Sequence, residues 1–386
     1  MMKRLFKQVY HLVHTHGWLA DWVYQLARPG KRLASRWRKW QALRHPVTPE
    51  ALYPVRQLTG LHGLIIGVTN ICNARCVFCA YPRAVDAKEL KGGVMSFAIF
   101  KKVVDEWRAL GGDNIDLTHT VGDPLIDPGL IEKINYGFKT AGMKKITFIT
   151  NGILLNRNDN YRKLIDAGVS EIYISTSGVD REDYEKTYGV QHYDEMLSGV
   201  HNLLRYNRER GEPTFIAIRF RNGKAPSQII AAKEFQEKIR PFFSARVRCN
   251  FTVDFDNWGG LIRQEELTGR MRLRTIDNDT NIPCGGLFSF MVRFDGSVRL
   301  CGCRFKRSDM DDMVVGNIKD RSLLEISQSP EAWKIIEGFY VGKRPETCLD
   351  CTLYSPVNAQ FVRGRAQRIN GHLTGTTAPV SGDVFQ

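Results

Sequence analysis

Apolar strands and amphipathic helices alternate along the middle of this chain, from about residue 59 to residue 255. The strands predicted from short apolar runs are Leu64–Thr69, Asn114–Thr120, Lys145–Thr150, Glu171–Ser177, Phe215–Arg221 and Arg248–Phe255. Helical patterns fill the gaps, beginning at Ser96 and continuing at about 128–141, 161–167, 193–209 and 227–239. Such alternation is typical of parallel strands joined by helices. The sequence therefore predicts an α/β fold, a partial (β/α)6 barrel of the TIM type, with functional residues at the carboxyl ends of its strands.

Three cysteines follow the first predicted strand. Cys72, Cys76 and Cys79 lie within eight residues, and no histidine or fourth cysteine is close in sequence. Three thiolates can hold three irons of a 4Fe–4S cluster and leave the fourth iron open to another ligand. Zinc normally has four closed ligands, and disulfides belong mainly to exported domains. An open iron–sulfur cluster is the favoured interpretation, with zinc or unligated thiols as alternatives.

The CxxxCxxC spacing, with an aromatic residue before the last cysteine, resembles the radical S-adenosylmethionine (SAM) superfamily. This resemblance implies that the open iron chelates SAM and that Phe78 places backbone polar atoms against the adenine. The loop Gly122-Asp123-Pro124 is similar to the Gly-Gly-Glu-Pro element that receives the SAM amino group in that superfamily. It departs from the element at Val121 and at Asp123, and a simple turn is the alternative.

Other polar residues lie at the ends of predicted strands. Ser175 and Ser177 resemble the ribose-contacting stretch of the superfamily, and Asn151 follows the third strand as a further cofactor-binding candidate. Because side chains alternate along a strand, Arg219 and Arg221 share one face of the fifth strand. Arg219 is the candidate partner of the SAM carboxylate.

Two acids, Asp254 and Asp256, share the polar face of the sixth predicted strand. They are candidates for binding hydroxyl or amino groups of a substrate, and Asp254 is also a predicted catalytic residue. The alternative is an internal ion pair between these acids and Arg219 or Arg221, because buried charges need partners.

A second cysteine set lies beyond the predicted barrel. Its members are Cys284, Cys301, Cys303, Cys348 and Cys351. A hairpin turn predicted at Asp295-Gly296 brings Cys284 close to Cys301. The stretch from Pro283 to Tyr354 resembles the SPASM and twitch extensions of radical SAM enzymes, and its cysteine spacing is similar to that of 2-deoxy-scyllo-inosamine dehydrogenase.

That resemblance implies one auxiliary 4Fe–4S cluster. Its implied ligands are Cys284, Cys301, Cys348 and Cys351. A zinc site is the alternative. Cys303 is then spare and is a candidate hydrogen donor to a substrate radical, ahead of Cys249; a buried, inert thiol is the alternative for both.

The first 45 residues carry much of the positive charge. They hold ten lysines and arginines against one acid, Asp21, which is +9 of the net +14, and four of the seven tryptophans. This composition suits an anionic membrane surface, a nucleic acid or an acidic polymer, and a packed helical cap is the alternative. The predicted domains are a basic helical extension (1–58), the barrel (59–265), the auxiliary-cluster domain (266–360) and a tail (361–386).

The predicted protein is a radical SAM oxidoreductase or epimerase. The resemblance implies reductive cleavage of SAM to a 5'-deoxyadenosyl radical, which takes hydrogen from a carbohydrate or aminocyclitol for epimerisation or alcohol oxidation. Maturation of a ribosomal peptide is the first alternative, RNA is a third substrate class, and a metal-stapled binding module is the non-enzymatic alternative. A flavodoxin or ferredoxin is the expected reductant. No run of about 18 apolar residues occurs, so a membrane-spanning helix is not indicated. The nine cysteines are interpreted as reduced ligands, so we expect a cytoplasmic protein, peripheral at a membrane if the basic segment docks there.

Overall fold

Nine strands form one sheet in the computed structural model, which describes residues 21, 33, 36–52, 64–88, 91–118, 120–275, 281–302 and 311–363. Its parallel strands are β1 (Leu64–Ile66), β2 (Asn114–Asp116), β3 (Lys145–Thr150), β4 (Glu171–Thr176), β5 (Phe215–Arg221) and β6 (Val247–Thr252). These six lie in sequence order across the sheet. The predicted partial (β/α)6 barrel is therefore confirmed.

Helices join these strands in the expected order. They are α1 (Tyr81–Asp86), α2 (Phe97–Ala109), α3 (Leu130–Asn135), α4 (Asn160–Asp166), α5 (Arg181–Tyr188), α6 (Tyr193–Glu209) and α7 (Pro226–Ala231). The predicted helices at about 128–141 and 227–239 each end in a turn of π-helix, at 136–140 and 235–239. The predicted strand Arg248–Phe255 is broken, because β6 ends at Thr252 and β7 (Asp254–Phe255) pairs instead with β8 (Arg272–Leu273).

The core lies between the sheet and its helices. Helix α2 begins after Ser96, whose hydroxyl accepts a hydrogen bond from Ile99 N at 3.3 Å. Its residues Phe100 and Val103 are fully buried, in contact with the same apolar core as Phe148 of β3. These aromatic side chains therefore belong to the core, and truncating Phe148 to Ala is expected to cost about 3–5 kcal/mol.

The C-terminal part of the chain extends the barrel sheet. Strands β9 (Phe290–Val292), β10 (Ser297–Leu300) and β11 (Val314–Asn317) form a meander, and β9 runs parallel to β1, with Phe290 opposite Leu64. The turn at Asp295-Gly296 has the predicted hairpin form, with Gly296 at φ 88°. Three helices follow: α8 (Leu323–Ser327), α9 (Pro330–Tyr340) and α10 (Glu346–Leu349). The two predicted domains thus share one sheet, and their boundaries near residue 265 remain a prediction.

The N-terminal helix, residues 36–44, lies on the surface of the fold. Ala42, Val47 and Leu52 are buried against the fold, and Asp21 accepts hydrogen bonds from the backbone and hydroxyl groups of Ser227. The rest of the predicted basic extension and most of the predicted tail lie outside the described residues. Among the described residues, no helix has the length and apolar character needed to cross a membrane.

Candidate cofactor and auxiliary-cluster sites

The three-cysteine loop lies between β1 and α1 and is fixed to the end of α5. Arg75 N donates to Tyr188 O at 2.8 Å, and Val77 N donates to Thr187 O at 3.0 Å. Gly189 ends α5 at φ 66°, and a Cβ atom there would lie 2.8 Å from Arg75 O. A glycine is therefore required where the helix end meets the loop.

The three thiols are close enough to influence one another. Burial raises the pKa of Cys72 to about 12 and that of Cys79 to about 11, and it raises the pKa of Cys76 well above its usual value. Negative charge on the other cysteines also raises the pKa values of Cys72 and Cys76. Within the described ranges, no three His, Cys, Asp or Glu side chains converge on one metal ion. The ligands of a 4Fe–4S cluster bind separate irons and have no such common centre.

The loop Gly122-Asp123-Pro124 is fixed by the carboxylate of Asp123. That buried carboxylate accepts hydrogen bonds from Asn151 N at 2.7 Å, from Leu125 N at 3.0 Å and from the hydroxyl of Thr150. Burial raises the pKa of Asp123, while these hydrogen bonds act in the opposite direction. The carboxylate is thus engaged within the chain, and its observed part is to hold the loop against β3.

Steric contacts explain why residue 122 of this loop is a glycine. It has φ 112°, and a Cβ atom at this position would lie 2.7 Å from Thr69 O. The next residue but one, Pro124, is buried and begins a short 3-10 helix. The loop therefore packs closely on the segment that leads from β1 to the cysteines.

Asn151 connects β3 to the cysteine loop. Its Nδ2 donates to Asn73 Oδ1 at 2.7 Å and lies 3.9 Å from Cys72 Sγ. Its Oδ1 accepts from Ile153 N at 3.0 Å, which fixes the orientation of the amide. Asn151 thus lies beside a cysteine, and its role in cofactor binding stays a prediction.

Several buried polar atoms have no hydrogen-bond partner within the described chain. Four of them are Asn73 Nδ2, Ser177 Oγ, Tyr184 Oη and Arg221 Nε. Asn73 adjoins Cys72, while Tyr184 and Arg221 lie close enough to Cys76 to interact with its charge. Buried polar atoms normally have hydrogen-bond partners. The residues present therefore fit a polar ligand such as SAM beside the cysteines.

The two arginines of β5 have different surroundings. Arg219 stacks on the ring of Tyr173 at 4.0 Å, and burial, followed by the charge of Arg221, lowers its pKa. Arg221 lies over the ring of Phe78 at 5.4 Å, and its charge lowers the pKa values of Cys76 and Cys79. The structure thus brings Arg221, rather than the predicted Arg219, against the cysteine loop.

The two serines predicted to contact the ribose, Ser175 and Ser177, also have different surroundings. Ser175 Oγ shares a hydrogen bond with Tyr188 Oη at 2.9 Å, so it has a partner in the chain. Ser177 is fully buried, and its carbonyl accepts from Asn222 Nδ2. Of these two hydroxyl groups, only that of Ser177 has no hydrogen-bond partner within the described residues.

Asp254 and Asp256 contact residues of later segments. Asp254 Oδ1 accepts from Arg272 Nε at 2.6 Å, so the predicted internal ion pair exists with Arg272 rather than with an arginine of β5. Asp256 Oδ1 accepts from Thr352 Oγ1 at 2.8 Å, and its charge raises the pKa of Cys79. Asp256 therefore lies between the cysteine loop and the auxiliary region.

Sequence reasoning missed two adjacent residues that join the two cysteine regions. Trp258 Nε1 donates to Phe78 O at 2.9 Å, in the three-cysteine loop. Asn257 Nδ2 donates to Asp350 O at 2.8 Å, between Cys348 and Cys351. The tryptophan before two glycines, just after the last barrel strand, was the available signal.

The four auxiliary cysteines line one pocket. Its lining includes Cys284, Cys301, Cys348 and Cys351, together with Leu287, Arg299, Met313, Phe339, Thr347 and Tyr354. Burial raises the pKa of Cys284 to about 12 and also raises that of Cys348. The main-chain N–H groups of Gly286 and Ser355 donate to Cys284 Sγ, each at 3.4 Å. This donor set fits one cluster with four thiolate ligands.

A buried ion pair fixes the turn at Cys301. Arg299 Nε donates to Asp311 Oδ2 at 2.8 Å, and its guanidinium also donates to Cys301 O. Cys301 has φ 64°, a strained conformation for a residue with a side chain. Gly302 follows and packs so closely on Ile65 that a Cβ atom would lie 2.5 Å away.

Of the two remaining cysteines, Cys249 lies within the described residues. Cys249 is fully buried on β6, and burial raises its pKa well above the usual value, as expected for a core residue. Cys303 lies outside the described residues, so its role as a hydrogen donor stays a prediction. Its neighbour Gly302 is described, and the carbonyl of Gly302 accepts from Thr120 Oγ1 at 2.7 Å, beyond β2.

Curated relatives match only part of the chain. A GTP 3',8-cyclase of Alkaliphilus oremlandii is 29% identical over 140 residues, which is 36% of this chain and 42% of that protein. A probable GTP 3',8-cyclase of Metallosphaera sedula is 28% identical over 180 residues, which is 46% of this chain and 53% of that protein. The chain thus spans about half the length of the curated relatives it matches.

Solved structures with similar folds have low sequence identity. BtrN in complex with AdoMet and 2-DOIA is 16% identical, with a TM-score of 0.48 over 75% of this chain and 92% of that chain. Streptococcus suis SuiB bound to precursor peptide SuiA is 13% identical, with a TM-score of 0.49 over 78% of this chain and 73% of that chain.

Two family profiles match the regions that contain the cysteines. The radical SAM superfamily matches residues 66–219, and the SPASM iron-sulfur cluster-binding domain matches residues 284–352. The first range contains the three-cysteine loop and the second contains the auxiliary pocket. The chain therefore contains a radical SAM domain followed by a SPASM domain.

Proposed function

We propose that this enzyme cleaves SAM at a cluster held by Cys72, Cys76 and Cys79 and removes hydrogen from a carbohydrate or aminocyclitol. The supporting observation is the group of buried, unpartnered polar atoms beside the three cysteines. The reduced cluster would supply the electron that cleaves SAM into methionine and a 5'-deoxyadenosyl radical. The protein would supply the positions of the reacting groups.

Each residue of the site has a defined part in this proposal. Arg221 Nε donates to the carboxylate of SAM, because an arginine is the natural partner of a carboxylate. The Ser177 hydroxyl binds a ribose hydroxyl. Phe78 presents its backbone to the adenine, with its carbonyl held by Trp258. Asp123 and Asn151 hold the two loops that form the walls of the site.

The auxiliary pocket supports an electron-accepting role. Four thiolates fill the four irons of one cluster and leave no open coordination position. A cluster held by these cysteines would supply an electron acceptor. In an alcohol oxidation, the substrate carbon would lose a hydrogen atom to the radical, and the resulting substrate radical would give one electron to that acceptor and its hydroxyl proton to a base, which yields a ketone. Epimerisation needs instead a hydrogen donor on the opposite face, for which Cys303 remains the proposed thiol.

A nucleotide is the second candidate substrate. The curated relatives are named GTP 3',8-cyclases, although they match under half of this chain. A ribosomal peptide is the remaining alternative. A flavodoxin or ferredoxin is the proposed reductant for every one of these reactions.

Anaerobic reconstitution with iron and sulfide, followed by an assay for 5'-deoxyadenosine, tests the proposal. The triple change of Cys72, Cys76 and Cys79 to Ala should abolish the product and retain the auxiliary iron. Cys249→Ala is the matched control, since this cysteine lies in the core, and it should retain product and iron. No product from protein with both clusters intact would overturn the assignment.

Deuterated substrates then distinguish the substrate classes. A deuterated sugar or aminocyclitol should transfer deuterium to 5'-deoxyadenosine, whereas deuterated GTP and a deuterated peptide should not. Transfer only from GTP, or only from the peptide, would replace the carbohydrate proposal with that class.

A further inference from the structure

The N-terminal helix presents an exposed apolar face. Trp37 is 55% exposed, Trp40 42% and Leu43 55%, and Leu33, ahead of this helix, is 64% exposed. Their spacing places them on one side of a helix. The two indole rings stack, with their centroids 4.7 Å apart. Exposed apolar patches of this kind mark interaction surfaces.

The same helix is strongly basic. Arg36, Arg38, Lys39 and Arg44 lie within it, and no acid occurs from residue 36 to residue 49. The Arg44 guanidinium lies 4.6 Å from the centre of the Trp40 ring. Exposed tryptophan flanked by long cationic side chains is typical of a helix that lies in the headgroup region of a membrane.

The opposite side of the helix is anchored. Ala42 is fully buried, and Val47 just beyond the helix accepts a hydrogen bond from Tyr340 Oη at 2.6 Å. The tryptophans are therefore not the packed side of a cap. After Tyr340 the chain forms a turn with Val341 68% exposed, followed by Lys343. A second apolar and basic element thus adjoins the segment after the helix.

We propose that this face docks on an anionic lipid bilayer. Trp37, Trp40 and Leu43 would enter the headgroup region, and the basic side chains would contact lipid phosphates. A nucleic acid would use the cations and the indole rings, but it offers no apolar phase for Leu33 and Leu43. The continuous apolar face therefore favours lipid over a nucleic acid.

Vesicle sedimentation of the reconstituted full chain tests this proposal. The probes are vesicles of phosphatidylcholine alone and of phosphatidylcholine mixed with phosphatidylglycerol. We expect binding to the mixed vesicles, weaker binding at high salt because charge attraction is screened, and a blue shift of tryptophan fluorescence. Each basic residue near an anionic surface contributes about five-fold to partitioning, so Arg36→Gln with Arg38→Gln should weaken binding about 25-fold.

Two variants separate the apolar contribution from the charge. Trp37→Ala with Trp40→Ala should reduce binding and remove most of the blue shift. Leu324→Ala and Lys144→Gln are matched controls, because they change an exposed leucine and an exposed lysine elsewhere on the surface. They should bind vesicles as the unchanged protein does.

The proposal is overturned if the helix variants bind vesicles as well as the controls do. It is also overturned if the chain ignores mixed vesicles and instead binds an RNA or DNA duplex through the same residues. Formation of 5'-deoxyadenosine in the absence of vesicles is measured in parallel. Because none of the proposed cofactor residues belongs to this helix, that activity should be the same in every variant, and loss of vesicle binding leaves the proposed chemistry intact.

Discussion

Replacing Trp258 by Phe tests whether the link between the two cysteine regions matters for cofactor binding. The change removes the indole N–H that donates to Phe78 O at 2.9 Å and keeps an aromatic ring at the position. The neighbouring bond from Asn257 Nδ2 to Asp350 O, at 2.8 Å, is left in place. The perturbation is therefore confined to the three-cysteine side of the link.

The expected effect on SAM binding is that of losing one hydrogen bond. A bond of this kind contributes about 1 kcal/mol net, and because Trp258 is half-buried, water can partly replace it. About 1 kcal/mol corresponds to about a five-fold change in the fraction of molecules whose Phe78 carbonyl is correctly held. We expect the KM for SAM to rise about five-fold, with unchanged iron content and a Tm lower by no more than about 2 °C.

Trp107→Phe is the matched control. Trp107 Nε1 donates to Asn114 O at 2.8 Å, which is the same kind of bond, but it joins α2 to β2 within the core. This variant should lose at least as much stability and keep its KM for SAM. Steady-state formation of 5'-deoxyadenosine and thermal unfolding measure both quantities. If Trp258→Phe has an unchanged KM, or if both variants raise it equally, the link does not position the cofactor.

Three further predictions concern single residues. Arg221→Gln should raise the KM for SAM at least tenfold and Arg219→Gln far less, measured by 5'-deoxyadenosine formation; the reverse order would restore Arg219 as the carboxylate partner. Gly189→Ala should lower the Tm, because Gly189 has φ 66° and the new methyl group would lie 2.8 Å from Arg75 O, and an unchanged Tm in a melting experiment would contradict this packing. Burial raises the pKa of Asp183 to about 6, so the neutral carboxyl group contributes stability that is fully present below about pH 4 and is lost as the pH rises through about 6. Asp183→Asn should therefore raise the Tm at pH 7 but not at pH 4. An equal shift in Tm at both pH values would refute this reasoning.

The fold and the cysteine positions were predictable because their signals are local. Strand and helix periods are visible within a few residues, and cysteine spacing places Cys72 and its two partners directly after β1. The prediction that Cys284 and Cys301 lie close together needed only a recognisable hairpin turn between them. Each of these signals depends on neighbours in the sequence, so no long-range contact had to be known.

The sequence could not rank Arg219 against Arg221 for a geometric reason. Alternation assigns Arg219 and Arg221 to one face, but it does not say how far each lies from the end of the strand. The register pairs Arg221 with Thr252, the last residue of β6, whereas Arg219 pairs with Asn250. Arg221 is thus nearer the edge at which the cysteine loop lies, and Arg219 stacks on Tyr173 instead.

Long-range partners were equally invisible in the sequence. The ion pair of Asp254 depends on Arg272, which arrives on a two-residue strand, β8, with no apolar pattern of its own. The bond from Trp258 to Phe78 joins residues 180 positions apart. Such contacts follow from the path of the chain in three dimensions, which periodicity and spacing do not determine.

Three independent connections make the two cysteine regions one structural unit. Strand β9 pairs with β1, Thr120 donates to Gly302 O beside Cys301, and Asn257 and Trp258 each hold one loop. Transfer of an electron between substrate and an auxiliary cluster requires a fixed separation, because its rate falls steeply with distance. A flexible linker between two separate domains would not maintain that separation, whereas a shared sheet does. The continuous sheet would therefore hold the auxiliary pocket at the fixed distance that the proposed electron transfer needs.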